Sequence, residues 1–197
     1  MNRIILLFFT LVVFPISAHA AMILQFESSP SSWVGHGESR FVTPDDGYIF
    51  SVQSYFDNSL YFRIERDGPS HSDPLHDHWS LALAAPSDNM LTVGLYEGAT
   101  RWPFQNDEDP GLSFSGNHRG NNRNLGFFNI LEAVYLPSGG IESLAVDFTQ
   151  YGEQNPDWWI NGKLRYNSDV SVVPLPASVW LFMAGLVALT RIRSSKM

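Results

Sequence analysis

Short apolar segments separated by turn signals fill the middle of the chain, and this pattern constrains the fold more than any other feature. The segments are rich in aromatic and β-branched residues and are interrupted by polar positions. No long helical period occurs between them, so we predict a mainly β body, a single antiparallel β-sandwich or jelly roll. The predicted strands cover residues 22–26, 47–52, 60–64, 79–83, 91–96, 112–115, 127–135, 141–148 and 159–166.

Residues 125–135 fit either a strand or a helix. The strand is favoured because Phe127, Asn129 and Leu131 alternate with a second set of side chains. Together with the turn at residues 137–140 and the segment 141–148, this stretch predicts a β-hairpin.

The first twenty residues predict a signal peptide. Arg3 provides a short cationic start, and an unbroken apolar run over residues 4–14 follows it. Ala18 and Ala20 stand at the spacing that signal peptidase requires, so we expect cleavage after Ala20. An uncleaved anchor is the alternative, although the run is short against the roughly 20 residues that span a bilayer.

A second apolar run, at the other end of the chain, predicts a transmembrane helix. Residues 178–190 carry no charge, and the cations that follow them, Arg191, Arg193 and Lys196, stop transfer through the bilayer. The helix is short enough that a buried core helix is the alternative. Because both ends are cationic on the cytoplasmic side, the chain between them is expected outside the cytoplasm.

A five-residue box precedes this run: Val173, Pro174, Leu175, Pro176 and Ala177. With the Trp-Leu-Phe that follows and the terminal arginines, the tail resembles the VPLPA variant of the PEP-CTERM class of bacterial sorting signals. The resemblance implies that an exosortase, a membrane-embedded cysteine transpeptidase, removes the tail during delivery to the cell surface or the exopolysaccharide matrix. The box would then be a substrate and not a catalytic group.

The end segments divide the chain into a signal peptide (1–20), an ectodomain (21–168), a linker (169–172) and a sorting tail (173–197). Of the twelve Lys and Arg residues, four lie in the ends, which leaves eight against all twenty Asp and Glu. This acidic balance disfavours nucleic acid and anionic lipid as partners. The chain has no cysteine, so a hydrophobic core and not disulfides must hold the ectodomain together.

A second resemblance covers most of the ectodomain. Residues 91–105 read LTVGLYEGATRWPFQ, and further motifs lie at 110–116, 118–120, 131–135, 147–150 and 164–168. These motifs are similar to a β-rich domain of unknown function in exported bacterial proteins, which implies a fold and export but no known activity. That family usually has two cysteines, implied to form a disulfide, where Asn121 and Gly152 stand in this chain.

The segment 71–78 is the strongest candidate for metal chemistry. Three imidazoles (His71, His76 and His78) and two carboxylates (Asp73 and Asp77) lie within eight residues, and His71, Asp73, His76 and His78 are the candidate ligands of a zinc-like divalent cation. A polar loop between two strands is the alternative and is favoured. No other cofactor is expected.

Catalytic motifs are not found in the sequence. The chain has no Gly-x-Ser-x-Gly elbow, phosphate loop or His-Glu-x-x-His helix, so we do not predict an enzyme. Residues 106–109, Asn-Asp-Glu-Asp, offer oxygen ligands for calcium, but they lack the spacing and glycine of an EF-hand loop. A solvated acidic turn is therefore favoured there.

The tryptophans suggest a carbohydrate platform, because flat rings stack on sugar faces. Trp158 and Trp159 are the binding candidates, since adjacent strand residues point to opposite faces and at most one can face the core. Core packing is the alternative for these two and for Trp33, Trp79 and Trp102, and it is favoured for most of the five. We therefore predict an exported surface or matrix protein with a structural or binding body. The alternatives are a polysaccharide-binding module and a metal-dependent hydrolase, and the expected partners are signal peptidase, an exosortase-like transpeptidase and exopolysaccharide.

Overall fold

The computed structural model describes residues 21–55, 58–68 and 77–172, and nearly all regular structure in this part is β-strand. The mainly β prediction is confirmed. The strand that the sequence pattern missed is β2, which is short and buries only Val42. The strands are β1 (Ala21–Ser28), β2 (Ser39–Val42), β3 (Tyr48–Ser54), β4 (Leu60–Arg66), β5 (His78–Ala84), β6 (Gly94–Arg101), β7 (Gly111–Gly116), β8 (Asn124–Tyr135), β9 (Ile141–Gly152) and β10 (Trp159–Ser168).

All ten strands belong to one hydrogen-bonded sheet, in the order β2-β1-β10-β9-β8-β6-β7-β5-β4-β3, which curls until it nearly closes into a barrel. One curled sheet thus takes the place of the two facing sheets of a sandwich. The sheet is mixed and not wholly antiparallel, because β6 and β7 run parallel over two residue pairs. The contact is short because only the last residues of β6 lie beside the first residues of β7. The predicted hairpin is confirmed, with Tyr135 of β8 paired with Ile141 of β9.

The two edges of the sheet are consecutive in the chain. A 3-10 helix, Pro44–Asp46, joins edge strand β2 to edge strand β3. The Thr43 amide donates to Asp46 Oδ2 at 3.0 Å, which fixes the start of this turn. Gly47 ends it with a φ of 82°, a left-handed conformation that costs glycine little. The tight turn holds one edge beside the other.

The core lies inside the curl. Phe26 of β1 contacts Trp79 of β5 and Phe114 of β7, with ring centroids 4.5 Å and 5.2 Å apart, although β1 is no neighbour of either strand in the sheet. Each such aromatic side chain contributes about 1.5–3 kcal/mol when it leaves water. Trp79 is fully buried, so this tryptophan fills the core and does not belong to a ligand platform.

Two glycines leave room for these rings. A Cβ atom at Gly116 would overlap the ring of Trp79, and one at Gly162 would overlap the ring of Phe148. The backbone of β7 and β10 therefore packs directly against aromatic faces, and a side chain at either position would push a ring out of place.

The residues after β10 lie against the outer face of the sheet. Arg165 is 1% exposed there, and it donates hydrogen bonds to the Val170 carbonyl at 3.0 Å and to Asp147 Oδ1 at 2.8 Å. Lys163 Nζ donates to the Val172 carbonyl at 2.9 Å. The predicted linker is thus attached to the body at two positions, Val170 and Val172.

The signal peptide and the sorting tail, with their predicted sites Ala18 and Ala20, residues 173–177 and the terminal cations, lie outside the described residues. Within residues 21–55, 58–68 and 77–172, no helix has the length and apolarity needed to cross a membrane.

Candidate functional site

Asp77 ties together strands at one end of the barrel. It directly precedes β5, and its carboxylate accepts hydrogen bonds from the Tyr48 hydroxyl group and from Trp79 Nε1, the latter at 3.1 Å. The Arg40 guanidinium on β2 lies 3.6 Å from Asp77 Oδ2. Because Tyr48 begins β3 and Arg40 is on β2, one carboxylate contacts both edge strands of the sheet.

The surroundings of this carboxylate set its charge. Burial alone would raise the pKa of Asp77, but hydrogen bonds from Tyr48, Asn117 and Trp79 and the charge of Arg40 outweigh burial and lower it. Burial first, and then the Asp77 carboxylate, raises the pKa of Tyr48 to about 12. At neutral pH the pair is a carboxylate held by a neutral hydroxyl group. This geometry suits a structural anchor and not a proton-transfer group.

The predicted metal residues fall mostly outside the described part of the chain. His71, Asp73 and His76 are outside the described residues. His78 begins β5, and its ring centroid is 4.8 Å from that of His118. Among the described residues, no group of three or more His, Asp or Glu side chains is placed to hold a metal ion.

The acidic turn at residues 106–109 is held by its own side chains. Asn106 Nδ2 donates to Asp109 Oδ2 at 2.8 Å, so one of the candidate calcium ligands already has a partner within the turn. The Asp107 carbonyl accepts from the Ser87 amide, which attaches the turn to the neighbouring loop. These contacts suit the solvated acidic turn that the sequence favours.

A groove of about 290 Å³ opens on the outer face of β4, β5 and β7. The strand register explains its floor, because Arg63 pairs with Ser80 and Ser80 pairs with Ser115 across three adjacent strands. The side chains in this row point outward, opposite to the core residues of the same strands. The Ser80 and Ser115 hydroxyl groups are 2.8 Å apart and form a polar floor.

Cationic and titratable side chains surround that floor. Arg63, His78, His118 and Arg119 all line the groove, and its described lining contains no carboxylate. Carboxylates lie just behind the arginines: Glu65 Oε2 is 4.0 Å from Arg63 Nε, and Glu38 Oε1 is 3.8 Å from Arg119 Nη2. The Nε atom of Arg119 is buried and, among the described residues, has no hydrogen-bond partner.

Aromatic rings extend the groove on one side. Tyr61 and Arg63 also line a second groove of about 400 Å³, which reaches Tyr55 and residues 51–53 of β3. The Tyr61 and Tyr55 ring centroids lie 5.8 Å and 5.5 Å from that of Trp102. Three rings therefore form one cluster, which we call the aromatic wall (Tyr55, Tyr61 and Trp102), beside the serine and arginine side chains.

Trp158 and Trp159 are not part of this surface. Trp159 begins β10 and pairs with Tyr151 of β9, while Trp158 precedes the strand in a turn and its amide donates to the Asn155 carbonyl. Both side chains are partly buried, and neither lines either groove. Of the predicted tryptophans, Trp79 adjoins the first groove but is fully buried, and Trp102 lines neither groove but packs against Tyr55 and Tyr61, which line the second groove.

Another groove, of about 450 Å³, crosses the outer face of β1, β10, β9 and β8. Several of its polar side chains are engaged with one another or with other parts of the chain, although Gln25 Oε1 is buried and has no hydrogen-bond partner among the described residues. Thr149 Oγ1 donates to Asn161 Oδ1 at 2.8 Å, and Asp147 is paired with Arg165. A ligand there would have to displace internal contacts, so the groove beside the aromatic wall is the better candidate.

Asn121 and Gly152 lie side by side. A Cβ atom at Gly152 would be 2.8–3.0 Å from three atoms of the Asn121 side chain. The positions that the resemblance pairs as cysteines are therefore neighbours in the fold.

By fold and surface, the chain is a nearly closed β-barrel with an arginine-lined groove beside an aromatic wall. No protein-family model, curated protein or solved structure matches it. A function must therefore be inferred from the chemistry of the groove.

Proposed function

We propose that the chain is an exported protein of the cell surface or extracellular matrix whose β-body binds polysaccharide without catalysis. The observation that carries the binding part is the aromatic wall, in which Tyr61 is shared by two adjoining grooves. Aromatic faces accept the apolar faces of sugar rings, while hydroxyl and guanidinium groups beside them bond to sugar oxygens. Both kinds of group lie within one outer face here.

The export part of the proposal rests on the ends of the chain. A signal peptide would be cleaved after Ala20, and an exosortase-like transpeptidase would recognise residues 173–177 while the following helix holds the chain in the membrane. The two helices that the sequence predicts at the ends belong to this part. The body supports it in one respect: Arg165 and Lys163 donate to the Val170 and Val172 carbonyls, so the residues just before the box are attached to the sheet.

A metal-dependent hydrolase is the weaker alternative, because no observation among the described residues favours it. It would use a divalent cation bound by His71, Asp73, His76 and His78. Calorimetric titration of the full chain with zinc, repeated on His76→Ala, tests this idea. Heat of zinc binding that is present in the parent chain and absent in the variant would support the metal-dependent alternative.

The binding proposal is tested by affinity electrophoresis of the full chain in gels that contain host exopolysaccharide. We expect Tyr61→Ala and Trp102→Ala to reduce retention. The matched control is Trp33→Ala, because Trp33 is 56% exposed, lines neither groove and, unlike Trp102, packs against His36 and not against the tyrosines of the aromatic wall. Retention that survives both groove substitutions, or that is lost with Trp158→Ala or Trp159→Ala instead, would contradict this location of the site.

Sorting is tested by fractionating the host and measuring the intact mass of the protein. We expect an extracellular form that lacks residues 1–20 and the apolar tail. In a Pro174→Ala/Pro176→Ala variant, the unprocessed chain should accumulate in the membrane fraction. A full-length tail in the membranes of both strains would show that residues 173–197 are a plain anchor.

A further inference from the structure

The groove beside the aromatic wall has a charge that differs from that of the rest of the chain. The protein carries a formal net charge of −8, yet the described lining of this groove holds two arginines, two histidines and no carboxylate. At physiological ionic strength, charges more than about 8 Å apart are largely screened, so the groups near the groove and not the net charge decide which ligand it accepts. Glu65 and Glu38 lie within 4.0 Å of Arg63 and Arg119 and offset part of their charge, but neither carboxylate is in the lining that a ligand would meet.

We propose that this groove selects an anionic glycan, a polymer whose sugar units carry carboxylate or sulfate groups. The inference rests on the proposed glycan binding and names the ligand class of the same site. Arginine forms paired hydrogen bonds with planar oxyanions, and such charge-assisted bonds are roughly twice as strong as neutral ones.

The arrangement around Arg119 supports an anion at this place. Glu38 accepts a hydrogen bond from Arg40 Nε at 2.7 Å through one oxygen, and its other oxygen lies 3.8 Å from Arg119 Nη2. The Arg119 side chain is thus positioned from one end, while its buried Nε finds no acceptor among the described residues. An oxyanion in the groove would accept from the terminal nitrogens of the Arg119 guanidinium, and whichever of the Ser80 and Ser115 hydroxyl groups accepts in their mutual hydrogen bond could donate to it.

The aromatic wall explains why the anion should be part of a sugar. Tyr61 and Arg63 are two residues apart on β4, on the same face, and both line both grooves. A sugar stacked against the wall would therefore direct a substituent toward Arg63. A free phosphate ion shares the anion chemistry but gains nothing from the rings, so the two ligands can be told apart.

The test uses the full chain purified in detergent micelles, with polygalacturonate as the acidic polymer, dextran as the neutral polymer and inorganic phosphate as the free anion. We expect polygalacturonate to bind more tightly than dextran. Arg63→Gln and Arg119→Gln should each weaken polygalacturonate binding by at least about tenfold. Arg123→Gln is the matched control, because this arginine is exposed, pairs with Glu153 and lines neither groove.

Arg63 makes the test independent of folding, because its side chain is 47% exposed and its removal leaves the core intact. Thermal unfolding checks that each variant is folded. Dextran binding that equals or exceeds polygalacturonate binding and depends on Tyr61 would overturn the anionic selectivity and leave the proposed function standing. If neither polymer binds, both the anionic selectivity and the proposed polysaccharide binding are wrong. Phosphate binding that Tyr61→Ala leaves unchanged, without binding of polygalacturonate, would overturn the glycan part and identify a simple anion site.

Discussion

The Tyr48 hydroxyl group donates a hydrogen bond to the Asp77 carboxylate, and this contact fastens an edge strand of the sheet to the start of a strand two places further in. The opposite edge reaches the same carboxylate through Arg40. A curled sheet that stops short of full closure leaves two edges unpaired, and such edges are open to pairing with other chains. Here side-chain contacts to one partly buried carboxylate hold the edges near each other.

Replacing Asp77 with Asn should therefore destabilise the fold. The amide keeps the shape of the side chain but loses the charge that Arg40, Tyr48 and Trp79 all contact. We expect a loss of about 1–3 kcal/mol in the free energy of unfolding, measured by chemical denaturation at neutral pH. Asp67→Asn is the control, because Asp67 is exposed. Equal stability of the two variants would show that Asp77 is not an anchor.

The free energy of unfolding should also depend on pH, because the protonation of Asp77 changes its contribution. The pKa of Asp77 is lowered in the folded protein, so its carboxylate stabilises the fold above the pKa that it has in the unfolded chain. This contribution is lost as the pH falls through the lowered folded pKa. The difference in unfolding free energy between the parent chain and Asp77→Asn should thus shrink on acidification, whereas a constant difference would contradict the assignment.

Tyr48 should make the stability of the fold depend on pH in the alkaline range. Its pKa is raised to about 12 by burial and by the Asp77 carboxylate, so its neutral form stabilises the fold. That contribution is complete below the ordinary tyrosine pKa of about 10 and is lost as the pH rises through the folded value. Tyr48→Phe should cost about 1 kcal/mol at neutral pH, and its deficit should narrow at high pH. A deficit unchanged by alkali would show that Tyr48 acts by packing alone.

The strands were largely predictable, because each shows its own local pattern of apolar and polar residues. β8 is an example: the alternation of Phe127 and Asn129 favours a strand over a helix, and the structure confirms a strand. β2 was missed because a four-residue strand with one buried side chain leaves almost no pattern. The pairing of β6 with β7 in parallel could not be predicted, since it depends on which strands meet and not on any local signal.

The candidate site was harder to predict for the same reason. Tyr61 and Arg63 alternate with the core residues of β4, so their outward direction was available from the sequence. Their neighbours were not, because Ser80, Ser115 and Trp102 come from three other parts of the chain. The tryptophans that sequence pattern favoured, Trp158 and Trp159, lie on a different part of the sheet, as adjacent aromatic residues carry no information about where a groove forms.

Gly162 offers a test of the core. A methyl group there would overlap the ring of Phe148, which is buried and packed against Phe114 at a centroid distance of 5.1 Å. We expect Gly162→Ala to lower the free energy of unfolding by about 1–3 kcal/mol or more, as overpacked cores do. Gly140→Ala is the control, since the nearest atom to its new methyl group would be a Leu136 methyl at 4.0 Å. Chemical denaturation of both variants tests this prediction. Equal denaturation midpoints would mean that Phe148 moves aside without cost.

The contact between Asn121 and Gly152 leads to the last prediction. Because a Cβ atom at Gly152 would meet the Asn121 side chain, the double variant Asn121→Cys/Gly152→Cys should form a disulfide under oxidising conditions. The bridge would close a loop of roughly thirty residues, and chain-entropy arguments give a stabilisation of about 3.7 kcal/mol relative to the reduced variant. Mass determination after alkylation shows whether the bond forms, and thermal unfolding with and without reductant measures its effect. The single variant Gly152→Cys provides the control, and it should be less stable than the parent because it crowds Asn121. Persistent free thiols in the double variant would show that these two loops do not lie together in solution.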